Sequence, residues 1–261
     1  MKIRDIIGAL EEFAPLPLQE SYDNAGLQIG LTVDAESSGV LLCLDVNEDV
    51  IYEAKEKGCN LIVSHHPLIF HPPKKLTGAD MVERCIILAI QLGINIYASH
   101  TNLDNALGGV NYKIAQKLGL TGLTPLIQQQ NMPGAGSGLI GILPQPRDRE
   151  DFIADVKEIF EVDCVRYNSW KGETISTVAV CGGAGAFLIH NAINAGADVF
   201  ITGEIGYHRF FGYENNIQLM EIGHYESEQF TIDLLKAVIH DAFPQARVEK
   251  TEVETNPINY L

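Results

Sequence analysis

The sequence predicts an α/β fold built as two α/β lobes, with mainly parallel or mixed sheets flanked by helices. Two observations lead to it. In the first half, short apolar runs alternate with helix-like segments in βαβαβ order, the grammar of a covered parallel sheet. After a stretch dense in Gln, Gly and Pro, a second block repeats that alternation without repeating the sequence.

Each element has a local reason. Ile3, Ile6, Ile7, Leu10 and Phe13 recur at helical spacing. Tyr22-Asp23-Asn24-Ala25-Gly26-Leu27 reads as an ordered turn beside that helix. Residues 40–44 are a strand, and Asn47 caps a helix running to Lys57 with Gly58 as its stop. A strand at 61–64, a helix over about 79–92 ending at Gly93, and a strand at 94–99 follow. The Gly108-Gly109 turn leads into a helix over 111–118, stopped by Gly119. Residues 124–149 carry Gln128-Gln129-Gln130, Pro133-Gly134 and Pro144-Gln145-Pro146, the composition of a loop or domain crossover. Beyond it lie a helix over 151–160, strands near 163–167 and 175–181, a helix near 187–194, and strands at 198–202 and 217–222. The final helix is expected over 227–243, with Phe230, Leu234, Leu235, Val238 and Ile239 on one face. The lobes expected from this are 1–124 with about 224–261, and about 125–223.

With 18 basic against 34 acidic side chains, the net charge is −16, so the chain lacks the basic footprint of generic nucleic-acid binding. A nucleotide held by a few local groups or by cations stays compatible, and the acidic field favours cations. The five cysteines, Cys43, Cys59, Cys85, Cys164 and Cys181, form no CxxC pair and fit buried thiols in a reducing compartment. Arg4, Asp5, Glu11 and Glu12 interrupt any signal-like apolar core at the N-terminus, and no apolar stretch has membrane-spanning length. A cytoplasmic protein is expected.

The chemistry is written at strand ends, where ligands bind in parallel sheets. Leu61-Ile62-Val63-Ser64 ends on His65-His66-Pro67, and imidazole is the commonest protein donor to transition metals. Adjacent strand residues point to opposite sides, so the expectation is one imidazole for each of two ions. After the strand at 94–99, His100 and Asp104 share a loop. A carboxylate there can bridge two cations, or it caps the Gly108-Gly109 bend. His100 is open as a ligand, a proton shuttle or a group that orients a ligand. His224 and Glu228, four apart after the strand at 217–222, face inward together if the helix begins at Ser227. Glu221 and Glu226 compete as carboxylates. Glu204 and His208, after the strand at 198–202, are further candidates at a cleft. Cys181-Gly182-Gly183-Ala184-Gly185 reads as a tight strand–helix turn before it reads as an anion cradle. His71, His190 and His240 read as surface or packing residues.

Taken in order, five segments resemble one family: Ser21-Tyr22-Asp23-Asn24-Ala25-Gly26-Leu27; Ser64-His65-His66-Pro67-Leu68-Ile69-Phe70; His100-Thr101-Asn102-Leu103-Asp104 with Gly108-Gly109-Val110-Asn111; Ile201-Thr202-Gly203-Glu204 with Tyr207-His208; and Gly223-His224-Tyr225 with Glu228. The chain is similar throughout to the GTP cyclohydrolase I type 2 homologue family, also called NIF-three-like, in its compact form without an inserted domain. The resemblance implies two α/β domains, a toroidal homohexamer and two divalent metals per subunit. It places metal ligands on His65, His66, Asp104, His224 and Glu228, so the lobe of 1–124 with about 224–261 is expected to carry most of them. It also implies a metal-dependent hydrolase using metal-activated water, with zinc, iron or manganese as the metal and GTP as a candidate substrate. His100, Glu204 and His208 are the candidates for proton transfer. A metal-dependent phosphoesterase, or a non-enzymatic metal-binding or adaptor protein, are the alternative readings.

Overall fold

The computed structural model describes residues 1–261, which divide into two compact units: Met1–Leu103 with Thr231–Asn259, and Asp104–Phe230 with Tyr260–Leu261. Both are α/β, as expected. The boundaries fall elsewhere than near 124 and 224. The helix that follows Gly109 packs on strands of the second unit, so it departs from the first. This shift leaves His65, His66 and His100 in the first unit and puts Asp104, His224 and Glu228 in the second, so the first unit does not carry most of the expected ligands.

The first unit runs α1 (Ile3–Phe13), β1 (Gly26–Ile29), β2 (Val40–Cys43), α2 (Glu48–Glu56), β3 (Leu61–Ser64), α3 (Met81–Leu92) and β4 (Asn95–Ala98). The unit boundary falls inside the short α4 (Thr101–Asp104). Asn47 Oδ1 accepts from Val50 N at 2.9 Å and Asp80 Oδ1 from Glu83 N at 2.8 Å, caps each worth about 1 kcal/mol. Gly93 ends α3 in the left-handed conformation, at φ +70°.

The second unit runs α5 (Val110–Lys117), β5 (Thr121–Gln128), β6 (Gly136–Asp148), α6 (Arg149–Phe160), β7 (Arg166–Tyr167), β8 (Thr174–Cys181), α7 (Ile189–Asn194), β9 (Val199–Thr202), β10 (Gln218–Glu221) and α8 (His224–Glu228). The chain then returns to the first unit as α9 (Thr231–Ala242) and β11 (Val248–Lys250).

The first sheet has the order β1-β4-β3-β2-β11, with β1 antiparallel and the other four parallel. Leu41, Cys43, Ile62 and Ile96 pack with Val50, Ile51, Cys85 and Ala89 from α2 and α3. Val40, Leu42, Leu61 and Val63 alternate to the opposite face and are fully buried too, while α9 packs on β2 and α1. Two-sided burial explains why these strands read as unbroken apolar runs. Cys43 pairs with Ser64 and Ser64 with Ala98, so three carboxyl ends stand level.

The second sheet, β5-β6-β8-β9-β10-β7, is mixed: β8, β9 and β10 are parallel, and β5, β6 and β7 join antiparallel. Residues 124–149 are thus the hairpin β5–β6 running into α6, instead of a loop or crossover. The glycines there serve close strand packing: a Cβ on Gly136, at φ +152°, would lie 2.0 Å from the Ile127 carbonyl oxygen. The expected helix over 227–243 is two helices broken at Gln229 and Phe230. Gln229 Nε2 donates to the Phe160 carbonyl at 3.0 Å, and the Phe230 ring lies between Phe160 and the Lys117 ammonium. Residues 21–27 turn as expected but end in β1, whose bulge between Leu27 and Ile29 masks the strand alternation. No helix is long and apolar enough to cross a membrane.

Candidate metal sites

Level strand ends set out the first unit's donors. Asp45, His66 and His100 each stand two residues past the end of β2, β3 or β4, so the register lines them up. His65 N and His66 N still hydrogen-bond to Cys43 O and Leu44 O, at 3.2 and 3.0 Å. The chain turns there, and the rings of His65 and His66 come to 4.8 Å between centroids, tilted by 48°. Ring nitrogens of His65, His66 and His100 all lie within 4.8 Å of one another. With the chain turned, the adjacent histidines and His100 form one cluster of imidazoles.

Each imidazole is gripped at Nδ1. His65, wholly buried, has Nδ1 2.8 Å from the Ser99 carbonyl oxygen, which only an N–H can approach so closely. His66 Nδ1 lies 2.9 Å from Asp45 Oδ1, and His100 Nδ1 2.7 Å from Asp23 Oδ1. With Nδ1–H donating, Nε2 carries the lone pair, the tautomer in which imidazole ligates a metal. Burial works to raise the Asp23 carboxyl, but hydrogen bonds from His100 and Thr101 outweigh it and hold the group at about 2. Asp23 is thus a fixed anion behind His100, and Thr101 donates to it through both its backbone N–H and its hydroxyl. Beside this cluster, Phe70 lies 6.3 Å from His100 and Tyr22 lies 6.5 Å from Phe70, giving an aromatic rim.

In the second unit, Cys181, Thr202 and Glu221 are in register at the ends of β8, β9 and β10. Gly223, at φ +95°, turns the chain into α8 and places His224 at its first position. His224 Nε2 sits 3.2 Å from Glu228 Oε2, one turn on, and His224 Nδ1 sits 2.9 Å from Glu204 Oε1. Asp104 brings a carboxylate oxygen within 4.8 Å of Glu228. Glu228 is only 3 % exposed, and with Asp104 beside it the pair of carboxylates could hold a cation.

Glycines make room for this pair. At Gly183, φ +58°, a Cβ would lie 2.5 Å from Glu228 Oε1 and 3.2 Å from His224 Nε2. Gly203 lets the backbone pass just as close, since its Cβ would lie 2.9 Å from His224 Cα. Gly183 N donates to Ser227 Oγ, which donates to the His224 carbonyl. The segment 181–185 is therefore the expected tight strand–helix turn, and at Gly183 the absence of a side chain leaves room for the Glu228 and His224 donors.

Among the other candidates, Glu204 orients His224. Glu221 is engaged with Arg166 and the Ile205 N–H, at 2.7 and 2.9 Å. Glu226 lies against Gly223, where a Cβ would come 2.0 Å from its Oε2. His208 is exposed and shares its surroundings with Tyr207 and Phe211. Asp45 was not anticipated, although its place two residues past a strand matches His66 and His100. Four cysteines are buried and Cys164 is exposed.

Two mixed α/β units whose parallel strands lead into oriented imidazoles and buried carboxylates carry groups that could hold a metal ion. The chain belongs to the Duf34/NIF3 (NGG1p interacting factor 3) family, whose model matches residues 1–257. It is 35% identical over 232 residues to the GTP cyclohydrolase 1 type 2 homolog of Clostridium acetobutylicum, covering 87% of this chain and 85% of that one. A protein of the same name from Streptococcus pneumoniae is 33% identical over 270 residues and the whole of both chains. The crystal structure of the Staphylococcus aureus hypothetical protein SA1388 superposes with a TM-score of 0.92 at 31% identity, over 100% of this chain and 99% of that one.

Proposed function

We propose that His65, His66, Asp104, His224 and Glu228 together hold two divalent cations, and that the protein is a metal-dependent hydrolase of the GTP cyclohydrolase type. The observation that carries this reading is the common grip at Nδ1. His65, His66 and His224 each have it on a carbonyl or carboxylate oxygen, the arrangement that orients metal-binding histidines. The donor set fits: neutral imidazoles with carboxylates suit zinc, iron and manganese. When bound, such a pair supplies Lewis acidity and brings water toward ionisation near neutral pH.

The protein's own residues divide the remaining work. Asp45 and Glu204 orient His66 and His224. His100, backed by the Asp23 anion, is the residue placed to take up or release a proton, ahead of Glu204 and the exposed His208. Phe70 and Tyr22 offer a surface on which a planar heterocycle such as guanine stacks. A cytoplasmic homohexamer with GTP as the substrate completes the proposal, on the strength of the family alone.

The test is metal analysis of the purified protein and of His65→Ala, followed by incubation of both with GTP and with a generic phosphodiester. The expected result is two equivalents of metal per chain, lost in the variant, with ring opening of GTP by the wild type. Metal-loaded protein inert toward a broad nucleotide panel overturns the catalytic half. A His65→Ala protein with full metal content overturns the site.

A further inference from the structure

Three aromatic side chains of the second unit stand on its surface, where burial cannot account for them. Tyr207, Phe211 and Tyr167 are 67%, 60% and 48% exposed. With Val165, Arg166 and Phe210 they line one cavity of about 420 Å³, a volume in the range that takes a small ligand. Single exposed rings are ordinary, but apolar surface gathered around a hollow is where ligands bind.

Local structure builds the cavity. The 3-10 turn Tyr207–Phe210 aligns residues three apart, which brings Tyr207 and Phe210 to one wall, and the Phe211 ring lies 5.4 Å from Tyr207 at 74°. Phe210 is anchored against the core around Phe200 and Leu219. Beside it, β7 is the edge strand of the sheet, and Arg166 pairs directly with Glu221 of β10. Arg166 Nη1 donates to Glu221 Oε1 at 2.7 Å, and the guanidinium carbon sits 5.4 Å from the Phe210 ring centroid. The second Glu221 oxygen is taken by the Ile205 N–H. Arg166 is thereby held in place with its Nε and Nη2 donors engaged by no protein group.

We infer that this cavity binds a guanine-type base, a neutral planar ring with two neighbouring acceptors on one edge. The aromatic rings supply faces for stacking, and the open side of Arg166 supplies a fork of donors that matches guanine O6 and N7. Adenine carries an amino donor beside its N7, so it cannot use both. A phosphate would find the Arg166 charge already balanced by Glu221, in a protein of net charge −16. The cavity shares a loop with Glu204 but contains none of the proposed metal ligands, so the inference does not rest on the metal reading.

Equilibrium dialysis of the full chain under a metal chelator tests it, with guanosine and adenosine monophosphates as probes that differ only in the base. The wild type is expected to bind guanosine monophosphate at least about tenfold more tightly than adenosine monophosphate, the discrimination of one two-bond pair. Arg166→Lys keeps the charge that faces Glu221 but lacks the planar fork, and should bring the two affinities within about threefold. Tyr207→Ala with Phe211→Ala removes only exposed rings and should weaken both by at least about tenfold. Equal affinities in the wild type, an unchanged preference in Arg166→Lys, or no binding at all overturns the inference. So does binding that survives the double alanine change and disappears in Phe70→Ala, which would put the base on the rim beside His100 instead.

Discussion

Replacing Gly183 with alanine probes the second unit's donors without touching a ligand. Its methyl group would sit 2.5 Å from Glu228 Oε1 and 3.2 Å from His224 Nε2, at φ +58°. Two costs follow, and a control separates them. Gly196 also has positive φ, +79°, but a Cβ there meets nothing within 4 Å. Gly196→Ala should lose about 1 kcal/mol to left-handed strain alone, lowering Tm by roughly 2–4 °C. Gly183→Ala carries that strain and also displaces the Glu228 carboxylate. The displacement should weaken metal binding by about 10–100-fold, the usual size for disturbing the support of a ligand. Competition against a fluorescent chelator reads the affinity, and thermal melts of the metal-free protein read the stability. The reasoning fails if Gly183→Ala binds metal as the wild type does and melts with Gly196→Ala.

Three further outcomes are expected. Asp45→Ala should lower metal affinity by about 10–100-fold while leaving the fold intact, since it frees the His66 ring without removing it; unchanged affinity in a chelator titration would refute the orienting role. Asp23 and Glu83 are both held at about 2, Asp23 as described and Glu83 by hydrogen bonds from Thr77 and Ala79. Because these folded values lie below the ordinary 3.8 and 4.5, their stabilisation is complete above those values and fades as pH falls toward 2. Melts of Glu83→Gln should accordingly show a shallower loss of Tm on acidification than the wild type. Finally, a thiol reagent at neutral pH should label Cys164 rapidly and Cys43, Cys59, Cys85 and Cys181 only on unfolding, with burial pushing the Cys85 thiol up to about 11. Labelling of two or more thiols in the native protein would count against the core described above.

The parallel strands and their helices were legible because both sheet faces are covered, which leaves unbroken apolar runs flanked by Asn47, Gly58 and Gly93. The ligand candidates were legible for a related reason: strand ends are where polar residues interrupt such runs. What lay hidden depends on pairing across long sequence distances. The β5–β6 hairpin is glycine-rich because its strands approach closely, and composition alone does not tell that from a loop. Asp45 looks like any strand-end carboxylate until the register sets it beside His66. The break at Gln229 and Phe230 arises from their contacts with Phe160 and Lys117, which helical periodicity does not report. Convergence of His65 and His66 follows from the turn after Ser64, where strand alternation ceases to apply.

Anomalous diffraction from metal-loaded crystals is the most direct test of the proposed dinuclear centre. Two peaks are expected per chain, with the Nε2 atoms of His65, His66 and His224 at about 2.0–2.1 Å from a cation and the carboxylates of Asp104 and Glu228 alongside. A single peak, coordination through Nδ1, or cations bound away from these five residues would contradict it.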